Sequence, residues 1–192
     1  MDWNQILLDS VWCGDLERVK ECLKNGADIE ARDDNGKTAL MVAVVADSFE
    51  LVKYLVEQGA DINANLHIEN FKATNSVATA MAFFFGYLDI AKYLIAQGAI
   101  VDRTTLAMAS RNGNLVGIKY LLNIADIDAR IALATATEIG DFEVVKYLVK
   151  NAYRLIDCDF ALTYALKYGH LDIATYLLDN GADIDDKVFV LV

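Results

Sequence analysis

The chain has 192 residues, a net charge of −11 and a pI near 4.5, with 55% apolar and 23% charged residues. So acidic a surface repels phosphate backbones and anionic headgroups, which argues against nucleic acid and membrane surfaces as partners. The apolar share excludes a disordered chain. The longest apolar runs, 80–85 and 188–192, fall far short of the ~18 residues of a membrane span. The opening residues Met1-Asp2-Trp3-Asn4 do not read as a secretory leader. The three cysteines, Cys13, Cys22 and Cys158, have no metal-site spacing and read as reduced thiols of a cytoplasmic protein.

The predicted elements follow from one phrase that recurs six times. In the first repeat, 2–32, it reads Gly14-Asp15-Leu16-Glu17-Arg18-Val19-Lys20-Glu21-Cys22-Leu23. In the second, 33–64, it reads Asp47-Ser48-Phe49-Glu50-Leu51-Val52-Lys53-Tyr54-Leu55-Val56. In the third, 74–102, it reads Gly86-Tyr87-Leu88-Asp89-Ile90-Ala91-Lys92-Tyr93-Leu94-Ile95. Copies at Gly113, Gly140 and Gly169 belong to repeats 103–128, 129–158 and 159–186. Apolar residues at the third, fifth, sixth, ninth and tenth places mark one face of a helix. The lead Gly suits a tight turn between helices, and Asp15, Asp89, Asp141 and Asp172 lie near the positive helix end. A Gly-Ala pair at 26–27, 59–60, 98–99 and 181–182 closes the helix. The fourth and fifth repeats lack that pair, and Asn151 is expected to supply the left-handed residue.

A shorter helix precedes each phrase, starting near Gln5, Thr38, Val77, Thr104, Ile131 and Phe160. Five places after each start stands a small residue: Ser10, Ala43, Ala82, Ala109, Ala136 or Ala165. Small residues at a fixed place let helices approach closely. Such pairs cannot bury their apolar faces alone and must stack. The expected fold is all-α, six stacked helix-turn-helix repeats forming a single domain over 1–192.

The stretch Asp33-Asp34-Asn35-Gly36-Lys37-Thr38-Ala39-Leu40-Met41-Val42-Ala43, with the repeating phrase, resembles the ankyrin-repeat family. Ala39 replaces the family's Pro and Met41 its His. The chain has no proline, so the likeness rests on repetition over nearly its whole length. Lead positions are spaced by 33, 39, 27, 27 and 29 residues. A 27-residue period leaves too little chain for two helices and the family's β-hairpin finger. Fingers are therefore expected near 28–37 and 61–76 and mostly lost in the C-terminal half. The 39-residue spacing places an insertion at 65–73, around His67. The apolar tail 187–192 stands where a seventh repeat would begin. It reads as a partial cap, as the start of a truncated repeat, or as a surface for self-association of an otherwise monomeric chain.

Two histidines without a ligand cluster give no metal site, and no cofactor or catalytic motif is visible. The reading is of a non-enzyme. Tyr54, Tyr93, Tyr120, Tyr147 and Tyr176 share one register and read as packing between repeats. His170 follows its lead Gly, a place where the resemblance implies hydrogen bonding between repeats. The resemblance also implies a concave groove that binds another protein. The two places before each lead position would face it: Trp12 and Cys13, Val45 and Ala46, Phe84 and Phe85, Arg111 and Asn112, Glu138 and Ile139, Lys167 and Tyr168. Of these, all but Cys13 and Ala46 are taken as the binding row, joined by Asp34, Asn35 and Lys37 of the first finger. Asn63 matches the family's asparaginyl-hydroxylation sequence. The expected function is protein–protein interaction with a basic or neutral partner surface. The short-period phrase resembles repeats of large DNA viruses, amoebal organisms and intracellular bacteria, which implies a host-directed adaptor or effector. The alternative is a structural solenoid that self-associates through its C-terminal end.

Overall fold

The computed structural model describes residues 1–66, 76–151 and 158–183. The described residues form twelve α-helices and no strand beyond one isolated antiparallel bridge, Arg32 to Thr38. The tail 187–192, His67 and nearly all of the expected insertion lie outside the described residues.

Contacts divide the chain into two compact units, Met1–Val101 and Asp102–Val192. The first holds α1 (Trp3–Trp12), α2 (Leu16–Lys24), α3 (Ala39–Val45), α4 (Phe49–Glu57), α5 (Val77–Phe85) and α6 (Leu88–Ala96). Here α1, α3 and α5 pack in a row, each against its own second helix, and α4 also meets α6. The second unit holds α7 (Arg103–Arg111), α8 (Leu115–Ile124), α9 (Arg130–Ile139), α10 (Phe142–Asn151), α11 (Cys158–Tyr168) and α12 (Leu171–Asp179). It repeats the plan, with α7, α9 and α11 in a row and α10 against α12.

The small residues sit where the first helices meet. Ser10, Ala43, Ala82, Ala109, Ala136 and Ala165 are all buried. Each also closes a turn. The amide after the lead position donates to the small residue's carbonyl, as in Tyr87 N–H to Ala82 O at 2.8 Å and His170 N–H to Ala165 O at 2.9 Å. That six-to-one bond requires a left-handed residue between its ends. All six lead positions supply it, with φ from +52° to +83°. Asp47 is the one lead position without glycine. A helix flanked on three sides must be apolar all round, and α3 is buried from Ala39 to Val44.

Helix starts differ from expectation because caps decide them. The α1 helix begins at Trp3, not Gln5, since Asp2 Oδ1 accepts from the amides of Asn4 (3.0 Å) and Gln5 (3.2 Å). Thr38 caps α3 rather than opening it, its hydroxyl accepting from Met41 N–H at 3.4 Å. Asp102 and Thr105 form a reciprocal capping box at α7. Asn151 is not left-handed. It is the last helical residue of α10, and its side-chain amide donates to Tyr147 O at 2.8 Å. The α8 helix ends at an extended Ala125 instead of a glycine.

The first finger is a tight hairpin turn. Asp33 N–H donates to Lys37 O (2.9 Å), and Asp33 Oδ1 accepts from Asn35 and Lys37 amides (2.9 and 2.8 Å). Arg32 Nη1 donates to Gly36 O (2.7 Å) and Asn65 O (2.8 Å), tying this finger to the next loop. A second pairing survives as Ser76 N–H to Asn63 O at 3.4 Å. The short loops 97–102 and 125–129 contain no β-bridge.

Candidate functional site

In the first unit, the ends of α1 and α3 and the first finger enclose a shallow cleft of about 160 Å³. Trp12, Val45 and Lys37, all expected from the sequence, line it together with Gln5, Leu8, Asp9, Asp33 and Val42. Trp12 is 63% exposed at the last turn of α1, and Val45 is half-buried. The finger holds Lys37 through Asp33 (3.7 Å), while Asp9 accepts from Gln5 Nε2 (2.9 Å). The cleft thus offers an indole face, aliphatic walls and carboxylates to an incoming side chain. Asp34 and Asn35 are exposed on the finger but do not line the cleft. Gln5, Leu8 and Asp9 were not singled out in the sequence. The signal was their helical spacing to Trp12, which puts them on one face.

Further along the same unit, Phe84 is half-buried and Phe85 is 40% exposed. Their rings meet edge-on at 5.1 Å, and Phe85 stacks on Tyr87 at 5.7 Å.

In the second unit, Arg111 and Asn112 are exposed at the end of α7, Glu138 and Ile139 at the end of α9, and Lys167 and Tyr168 at the end of α11. Tyr168 OH donates to Glu138 Oε1 at 3.5 Å, and Lys167 Nζ lies over the Tyr168 ring at 5.4 Å. An aromatic column runs down α11, with Phe160 to Tyr164 at 5.0 Å and Tyr164 to Tyr168 at 6.2 Å. Phe160 and Tyr164 were missed in the sequence, although their four-residue spacing to Tyr168 marks a shared helix face.

Four of the register tyrosines and His170 make contacts to the preceding repeat. Tyr93 packs edge-on against Phe49 (5.5 Å) and Tyr176 against Phe142 (5.4 Å). Lys20 lies over Tyr54 and Lys119 over Tyr147. Burial, with Glu57 nearby, raises the Tyr93 hydroxyl above its ordinary pKa. His170 Nε2 is 3.1 Å from Glu138 O, one repeat earlier. Asn63 commits both ends of its amide to the next repeat's loop, donating to Gly98 O (3.2 Å) and accepting from Ile100 N–H (2.8 Å). Among the described residues no three His, Cys, Asp or Glu side chains gather as metal ligands, and no helix is long and apolar enough to cross a membrane.

A family model of ankyrin repeats in three copies matches residues 7–105 and again 106–188. The chain belongs to the ankyrin-repeat family. The two matches part within a few residues of the boundary between the two compact units. Among similar curated proteins is the ankyrin repeat and KH domain-containing protein mask-1 of Caenorhabditis elegans, 35% identical over 98 residues, 50% of this chain and 3% of that protein. The putative ankyrin repeat protein YahD of Escherichia coli is 43% identical over 54 residues, 28% of this chain and 27% of YahD. Mouse protein phosphatase 1 regulatory subunit 27 is 36% identical over 98 residues, 50% of this chain and 60% of the subunit. The matched segment covers less than two thirds of each of these relatives. Ankyrin repeats generally serve as protein-binding modules rather than catalysts.

Proposed function

We propose that this chain is a non-catalytic module that binds a partner protein along the ends of its first helices, with the Trp12 cleft as an anchor. One observation carries the reading. The places before the lead positions keep large apolar side chains in water: Trp12 at 63%, Ile139 and Tyr168 at 44%, and Phe85 at 40% exposure. Exposed apolar rows mark interaction surfaces, and buried Trp and Tyr side chains dominate interface energies. The net charge of −11 favours a basic or neutral partner surface. A cytoplasmic setting, in the chain's own cell or in a host cell, fits this reading.

Affinity capture from an extract of the source organism tests it, using the wild type, Trp12→Ala and Leu171→Ala. Leu171 is 70% exposed at the start of α12, is not among the residues of the proposed row, and serves as control. A hot-spot residue contributes about 2 kcal/mol or more, so Trp12→Ala should weaken capture roughly thirtyfold. Leu171→Ala should match the wild type, and both variants should keep their helical content. Equal capture by the two variants removes the proposal. A mass that grows with concentration in light scattering points instead to self-association.

A further inference from the structure

At the turns that open α4 and α6, the first unit has a second, larger cleft of about 710 Å³. Its walls include Phe49, Gly86 and Tyr87, and its carboxylates are Asp47 and Asp89. Tyr87 connects it to the exposed Phe85 ring, which stacks on it. The cleft lies at the turn end of its helix pairs, and the Trp12 cleft shares no lining residue with it.

Its chemistry selects an occupant. Aromatic rings attract cations to their faces, and carboxylates do so more strongly. Asp47 brings a carboxylate to a place that holds glycine in the other five repeats. Neither carboxylate enters an ion pair among the described residues. Two features oppose a cation: α4 and α6 both open here without a side-chain cap. A helix end carries roughly half a positive charge. Two full negative charges outweigh the two helix ends together, about one positive charge, so the field in the cleft is negative. Asp89, in the first turn of α6, also offsets the helix end directly.

We propose that this cleft receives the cationic side chain, arginine or lysine, of a partner protein. A planar guanidinium stacks on a ring while its N–H groups meet carboxylates, so arginine fits best. The acidic balance of the chain draws such a segment in and makes its capture dependent on salt.

The test uses the full chain, labelled with nitrogen-15 and titrated with the capped tripeptide acetyl-Gly-Arg-Gly-amide. Parallel titrations replace Arg by citrulline, its neutral analogue, or by Glu. The expected result is saturable shifts of the Gly86 and Asp89 amides with the Arg peptide alone, at a Kd of ~1–10 mM for so small a ligand. Added salt should weaken this binding. The double variant Asp47→Asn, Asp89→Asn should lose at least tenfold in affinity; asparagine tolerates the left-handed backbone at position 47. Equal response to citrulline, preference for the Glu peptide, no saturable shift, or undiminished binding by the double variant overturns the proposal. If the double variant loses its folded spectrum, the wild-type salt and citrulline titrations decide. Trp12→Ala should leave the titration unchanged, so this site and the first-helix row stand or fall separately.

Discussion

Gly140 and Gly169 occupy equivalent turns with nearly the same backbone, φ +79° and +77°. Their surroundings differ. A Cβ on Gly169 meets nothing within 4 Å, whereas one on Gly140 falls 2.6 Å from His170 Cε1 and 2.9 Å from Nδ1. Gly169→Ala should therefore cost only the left-handed penalty, about 1–2 kcal/mol. Gly140→Ala should cost that and also displace the imidazole. Moving the ring breaks its bond to Glu138 O, for about 0.5–1.5 kcal/mol more. The expected totals are about 1.5–3.5 kcal/mol for Gly140→Ala and about 1–2 for Gly169→Ala. Urea unfolding followed by far-ultraviolet circular dichroism measures both. A cycle with His170→Ala isolates the contact: without the ring, Gly140→Ala should cost no more than Gly169→Ala. Equal losses in the two single variants, or no coupling in the cycle, would refute the claim that the close imidazole approach specifies glycine beyond the turn itself.

Other consequences concern buried and exposed polar groups. The Thr137 hydroxyl is buried with no hydrogen-bond partner among the described residues. The equivalent place holds Val11, Val44 and Phe83 in the first unit. Thr137→Val keeps the shape and removes an unsatisfied group, so it should raise stability by about 1 kcal/mol in the same urea assay; a loss would mean that the hydroxyl has a partner. Asp128 accepts side-chain hydrogen bonds from Arg130 (2.7–3.1 Å), which hold its carboxyl below the ordinary value of 3.8, with Arg103 adding to the effect. A depressed carboxylate stabilises fully above its unfolded pKa and loses that contribution as pH falls through the folded one. Because Arg130 is well exposed, Asp128→Asn should cost under about 1 kcal/mol at pH 7. The difference from wild type should shrink towards zero once the pH is below the folded value. A gap that persists unchanged in acid would trace the effect to something other than the charge.

The helix pairs were legible in the sequence because their cause is local and repeated. Leu51, Val52 and Leu55 share a helix face by spacing alone, and Ala43 has to be small wherever the neighbouring helices lie. Cap positions were less legible, since Asp2 and Thr38 act through side-chain geometry that one residue of shift conceals. Long-range straps were not legible at all. Glu30 Oε1 accepting from Asp61 N–H at 2.8 Å, or Asn63 reaching Gly98 and Ile100, depends on the offset between stacked repeats. The Trp12 cleft was legible in half. The phrase marked its helix-end residues, but the Asp33 turn that brings Lys37 beside them is a product of the finger's fold.

These failures share a logic that bears on function. In two repeats of the second unit the residue after the lead position is committed to stacking. Asp141 Oδ2 lies 2.7 Å from where a Cβ on Gly113 would stand, and His170 does the same over Gly140. The small residue is committed to the turn bond, and Tyr54, Tyr93, Tyr147 and Tyr176 to the preceding repeat. Positions just before the lead carry neither the left-handed backbone of the turn nor the buried small side chain. They hold Trp, Val, Phe, Arg, Glu and Lys in successive copies. Where a repeat's architecture leaves one place unconstrained, conformational stability does not choose its side chain. Large apolar groups kept in water there cost solubility without strengthening the stack, which is the physical ground for the proposed role of these positions in binding a partner.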